Sequence, residues 1–261
     1  MKKYFNIIEY EVLMRIREQA QYKVELLSET IMFIFIYLAT IISNWGNNFI
    51  TELGVTHDTS VKLVFIGYTI WQIGIIALGY SSSFVKNEAA RGILEIKQQS
   101  IFSYQFLLFI RMCISVFTSI LVFLCISFVL SMIDKWRLTD FIKCCKSIFP
   151  GLISIIGMFG IGLIFGALTL HEKSIGQSVL ILQTVLLFFS NIFTVSTAKV
   201  MKFIPYIIGI DIGRKLFLDN HILKRDIFSY IGINVAWFIF GNLIFRKAQK
   251  LESKIGMFDN Y

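Results

Sequence analysis

The sequence predicts an all-α integral membrane protein with six transmembrane helices. An amphipathic N-terminal helix precedes them, and a broken re-entrant hairpin precedes the last. Three observations carry that prediction. Only 16% of the 261 residues are charged and 56% are hydrophobic, whereas a soluble domain holds about 25% charge. Six runs contain no Asp, Glu, Lys or Arg: residues 30–51, 63–85, 112–133, 147–170, 174–198 and 227–245. Each is near the roughly 20 residues that carry a helix across the hydrocarbon core. Finally, there are two prolines and no ten-residue alternation of polar and apolar positions. A lone open strand leaves backbone groups unpaired in lipid, so the spans are helices.

Taken in order, residues 1–29 place Phe5, Ile8, Val12 and Ile16 three and four apart, with Glu9, Glu11, Arg15, Arg17 and Glu18 elsewhere around the helix. That spacing predicts an amphipathic helix at the membrane interface. The first run starts thirty residues in and is too long for the core of a signal peptide. Residues 44–59 read as a short outer loop with turn-forming Asn and Gly and an interfacial Trp45.

Residues 86–104, KNEAARGILEIKQQSIFSY, interrupt the second and third spans with charge. As one helix, this stretch would set Glu88, Arg91 and Glu95 along one face. The alternative is a solvated connection. In the fourth span Gly162 and Gly166 form a small-xxx-small pair suited to close helix packing, within the chain or across a dimer seam. The fifth carries Gln183, Thr184 and Asn191, polar residues that at membrane depth face protein or a water-lined path. Residues 199–226 are apolar but broken by Pro205, Gly209, Asp211 and Gly213. They are expected to form two short helical pieces that enter the outer leaflet and return. Residues 246–261 are a basic tail. The whole of 1–261 is expected to form a single transmembrane domain.

Orientation follows the lysines and arginines. The N-terminal tail has five, the loop after the first span only Lys62, and the segment from Lys86 to Arg111 four. Both termini and residues 86–104 are therefore expected in the cytoplasm, with the chain multi-pass in the cell membrane. The second half runs against that rule. Its outer segments hold Lys135, Arg137, Lys143, Lys146, Lys199, Lys202, Arg214, Lys215, Lys224 and Arg225.

Little in the sequence performs chemistry. The four cysteines and three histidines show no metal-ligand spacing. Ser81, Ser82 and Ser83 have no histidine in their span to act as a base. No GxxxxGK[ST] motif is present to cradle phosphates. The chain is expected not to be an enzyme and to hold no cofactor or metal, and nucleic acid is not an expected partner.

The order of parts resembles a type-2 ATP-binding-cassette (ABC) exporter permease. The stretch VKNEAARGILEIKQQSIFSYQF is similar to that family's coupling segment, with Glu88, Gly92, Leu94 and Glu95 at the matching positions and Arg91 between them. The opening YFNIIEYEVLMRIREQAQYKVELLSETI and the close LIFRKAQKLESKIGMFDNY are similar as well. QQSIFSY stands where the family commonly has a proline-containing turn, and the outer loops are more basic than usual.

The resemblance implies a permease subunit whose partners are two copies of a separate ATPase and a second permease chain, identical or paralogous. ATP would be bound by the ATPase alone. The exported substrate would be hydrophobic or amphipathic: a drug, an antimicrobial peptide or a lipid. Two other classes stand beside it. A secondary transporter would show internal repeats and coupling-ion ligands, and a membrane-embedded enzyme would show inward-facing Asp, His, Ser or Glu constellations.

Overall fold

The computed structural model describes residues 2–21, 24, 27–28, 30–31, 34–35, 38–39, 46–90, 92–98, 100–133, 136–171, 176–194 and 199–255. Every regular element among them is helical. In chain order these are α1 (Lys2–Gln21), α2 (Asn47–Leu53), α3 (His57–Ala90), α4 (Ile93–Gln98), α5 (Tyr104–Ile133), α6 (Leu138–Ile148), α7 (Gly151–His171) and α8 (Gly176–Phe188). A 3-10 turn at Lys199–Phe203, α9 (Ile207–Phe217) and α10 (Lys224–Ile255) complete them.

Four stretches are long and apolar enough to cross a membrane: His57–Ala89, Tyr104–Val129, Leu138–Leu170 and Lys224–Glu252. They fit a multi-pass membrane protein. They contain the second, third, fourth and sixth predicted spans, except for the last four residues of the third.

The other two predicted spans come out differently. Of residues 30–51, ten lie outside the described residues, and the last five belong to α2, which begins after a turn at Gly46. Among the described residues, the fifth run is helical over the 13 residues of α8, about 20 Å at 1.5 Å per residue. That falls short of the roughly 30 Å hydrocarbon core. Beyond α8 the chain meets a tertiary contact. Arg214 of α9 donates Nη1 to the carbonyls of Asn191 (2.6 Å) and Thr194 (3.2 Å), and Nη2 to that of Ile192 (2.6 Å).

α3 is the axis of the bundle. Its 34 residues rise about 50 Å, more than the thickness of a bilayer core. Leu63, Phe65, Ile66, Ile70, Ile73, Ala77, Leu78 and Val85 along it are fully buried. α7 packs between α3 and α10. Toward α10, a Cβ on Gly160 would stand 2.3 Å from the Trp237 carbonyl oxygen, and one on Gly241 would stand 2.0 Å from that of Gly160. Toward α3, Gly162 faces Leu78 and Ser81, while Gly166 lies against Val85 of α3 and Phe245 of α10. The Gly162–Gly166 pair therefore serves an intramolecular contact.

α9 and α6 cover the His57 end of the bundle. In the segment predicted to be re-entrant, the 3-10 turn and α9 are separated by Pro205. Most of α9 is buried, including Ile207, Ile210, Ile212, Gly213 and Arg214. The Arg214 guanidinium lies 4.5 Å over the Phe49 ring of α2 and donates to the Leu63 carbonyl. With water excluded, burial lowers its pKa to about 10. The same burial raises the carboxyl of Asp211 above the usual range, opposed by the nearby Arg214 charge. The Asn191 amide donates to that carboxyl.

Candidate functional site

At the opposite, Ala90 end, α1, α3, α4 and α5 enclose a cleft of about 710 Å³. Its geometry starts with one glycine. α3 ends at Ala90, and Gly92 takes φ +66°, its N–H donating to the Ala89 carbonyl. A side chain at such a left-handed position costs about 1–2 kcal/mol, so glycine suits the turn. α4 then starts in a new direction. The single helical face expected for Glu88, Arg91 and Glu95 does not exist, because the helix breaks between the first and last of them.

That turn brings Lys97 back onto Glu88, with Nζ 2.5 Å from Oε1. Arg111 of α5 donates Nη1 to the same oxygen at 2.9 Å and Nε to Glu11 of α1. Lys97 also stands 3.5 Å from Glu11. All four side chains are largely removed from solvent, with Glu11, Glu88 and Arg111 each only 5–6% exposed. Two carboxylates and two cations thus tie four helices together. Buried charges survive when paired this way, because pairing offsets the loss of hydration.

The cluster continues along α1. Arg15 donates to the Ser115 hydroxyl at 2.8 Å and pairs with Glu18 at 3.3 Å. Its guanidinium lies 4.8 Å from the ring centres of both Tyr80 and Phe84. Gln19 donates to Thr118 at 2.8 Å. Positions 11, 15 and 19 of α1 therefore meet 111, 115 and 118 of α5 in the same order. The two helices run parallel with a polar seam between them.

This reverses part of the expected amphipathic picture. α1 turns Glu11 and Arg15 into the bundle and leaves Leu13 and Ile16 half exposed, with Tyr10 more so. Ile8 and Val12 are partly buried, and the Phe5 side chain lies outside the described residues. The exposed apolar side is the one available to lipid.

Glu88 also differs from the sequence expectation. It does not project into solvent but forms the centre of the ion cluster. Arg91 and the side chains of Leu94 and Glu95 lie outside the described residues. Exposed apolar surface at this end comes from Ile96, 72% exposed, and Ile101. Sequence reasoning missed Glu11, Arg15, Lys97 and Arg111 as members of a site. A signal was present: Arg111, Ser115 and Thr118 form a polar stripe at helical spacing at the start of an otherwise apolar helix, matching the stripe on α1.

The polar residues of the fifth run do not converge on a path. The Gln183 amide reaches toward the Ile75 carbonyl at 3.5 Å, Thr184 is exposed and bonds its own helix, and Asn191 is buried beneath Asp211.

The fold and the cleft together define a helical multi-pass membrane protein with a charge-locked cleft at one end. Compared with known protein families and with curated proteins, the chain matches none.

Proposed function

We propose that the chain is the transmembrane permease subunit of an ABC exporter. It would move a hydrophobic or amphipathic substrate with energy from a separate ATPase, two copies of which dock at the Ala90 end. A second permease chain, identical or paralogous, completes the transporter. The Ala90 end and both termini face the cytoplasm of a cell membrane. ATP binding and hydrolysis belong to the partner. The fifth of six passes is residues 174–198, and residues 199–226 form the re-entrant segment.

The observation supporting this reading most directly is mechanical. α3 runs the length of the bundle and ends in a sharp turn, and the short α4 after it is linked through Lys97, Glu88, Arg111 and Glu11 to α1 and α5. A force on α4 reaches three other helices through short ionic contacts, as rigid-body movement requires. The docking anchor is then the exposed Ile96 on the cleft wall, and Glu88 transmits the movement from inside.

Ile96→Asp tests the assignment. The side chain is 72% exposed, so membrane level and melting temperature should stay at wild-type values, a change within about 0.5 kcal/mol. Loss of an apolar anchor at an interface centre costs about 2 kcal/mol or more. Recovery of the ATPase in a pull-down should therefore fall at least tenfold, and substrate-stimulated ATP hydrolysis should go with it. Wild-type recovery by Ile96→Asp, or a wild-type chain that purifies without any ATPase, would remove the reading.

A further inference from the structure

The ten cations of the second half that run against the orientation rule meet different fates. Arg214 is buried on backbone carbonyls. Lys143 pairs with Asp219, and Lys215 pairs with Asp226 at 3.0 Å. Lys62, from the first half, is held at the same end by Asp58 and Asp140. Among the described residues, no carboxylate lies within ion-pair distance of Lys199, Lys202 or Arg225.

These three exposed side chains share one cleft of about 250 Å³, between the 3-10 turn, α9 and the first turns of α10. Lys215, Asp211, Asp226 and Ser229 line it as well, and Phe203, Ile208, Ile212 and Ile233 supply its apolar wall. Four cations against two carboxylates leave the cleft with two positive charges. Both carboxylates are engaged already, Asp226 by Lys215 and Asp211 by Asn191.

We propose that this cleft binds the headgroup of an anionic phospholipid, with the phosphate between Lys199, Lys202 and Arg225 and the first acyl carbons along Phe203 and Ile233. Charge complementarity selects an anion, and the apolar wall selects an amphiphile over a free ion. The position agrees. The cleft opens where the long apolar helix α10 begins, at the level where a helix leaves the bilayer, and Val200, Phe203 and Phe228 are exposed beside it. Basic side chains at that level each strengthen binding to anionic lipid roughly fivefold. The inference does not rest on the exporter reading. It asks only that the His57 end lie at a membrane surface.

The test is retention of phosphatidylglycerol and phosphatidylcholine by the purified chain through delipidation, read by native mass spectrometry. Wild type should keep phosphatidylglycerol at least fivefold over phosphatidylcholine. Lys199→Gln/Lys202→Gln/Arg225→Gln should lose that retention tenfold or more. Arg246→Gln/Lys247→Gln/Lys250→Gln, which removes as many charges at the other end of α10, should keep it. Inorganic phosphate at millimolar concentration should not displace the lipid. Equal retention of both lipids, unchanged retention in the first triple variant, equal loss in the second, or full displacement by inorganic phosphate would each overturn the proposal.

Discussion

Glu88 carries the largest difference between a surface contact and an internal one. A carboxylate on a solvated connection can be removed at little cost. One that accepts from both Lys97 and Arg111 inside the protein cannot, because its removal strands two cations away from water. Breaking a buried pair in this way costs about 3–5 kcal/mol. Glu88→Ala and Arg111→Ala should therefore each lower the melting temperature of the detergent-solubilised protein markedly. The double variant should lose less than the two single losses added together, since residues in one network couple by about 0.5–3 kcal/mol. Strict additivity in that thermal cycle would mean that the two side chains do not share a contact in solution. Arg214 follows similar logic with different partners. Its charge is met by four backbone carbonyls and a neighbouring carboxylate, an arrangement in which lysine could not reproduce the planar fork.

Among the elements, α7 decides how closely the bundle packs. In lipid no hydrophobic drive pushes helices together, so association depends on close approach and van der Waals contact. Gly160 and Gly241 let α7 and α10 touch backbone to backbone, and Asn234 fixes the register there. Its amide donates to the Pro205 carbonyl at 3.1 Å and its oxygen accepts from the Gly157 N–H at 3.2 Å. Gly241→Ala must separate the two helices, because its Cβ would lie 2.0 Å from a backbone oxygen. It should reduce both folded yield and melting temperature. Gly232→Ala, in the same helix with nothing within 4 Å of the new Cβ, should be neutral or gain roughly 0.5–1 kcal/mol from lower backbone freedom. Similar melting temperatures for the two variants would contradict the close crossing.

For the whole molecule, the contacts give each end its own character. The Ala90 end gathers a balanced, buried ion cluster, and the His57 end holds the cleft in which cations outnumber carboxylates. Predicted orientation puts the first inside and the second outside, so labelling decides it. In a background with Cys113, Cys125, Cys144 and Cys145 replaced, single cysteines at Asn47, Gln98 and Asn260 should react with an impermeant maleimide from outside only at Asn47. External reaction at Gln98 would place the α4 end on the wrong side for a cytoplasmic partner. If Asn47 alone reacts, the basic His57 end breaks the charge rule for a reason its pairing pattern supplies: several of its cations are held by acids or carbonyls before they meet a membrane potential.

By itself the sequence determined the class. Low charge, long apolar runs and the need to satisfy every backbone group in lipid leave helices as the spanning element, and four such helices lie where unbroken apolar stretches predicted them. It did not show that a helix breaks within 86–104: that stretch reads as one helix or a solvated connection, and the left-handed turn at Gly92 emerges only in the folded chain. Tertiary structure decided what local pattern could not. Periodicity ranks a residue by its neighbours along the chain, so Glu11, Glu88 and Arg111, up to 100 positions apart, read as separate surface charges until folding set them side by side. The fifth apolar run was long enough to cross, yet α8 ends at Phe188, and the carbonyls of Asn191, Ile192 and Thr194 beyond it meet Arg214 from a later segment, a contact that neighbours along the chain do not encode.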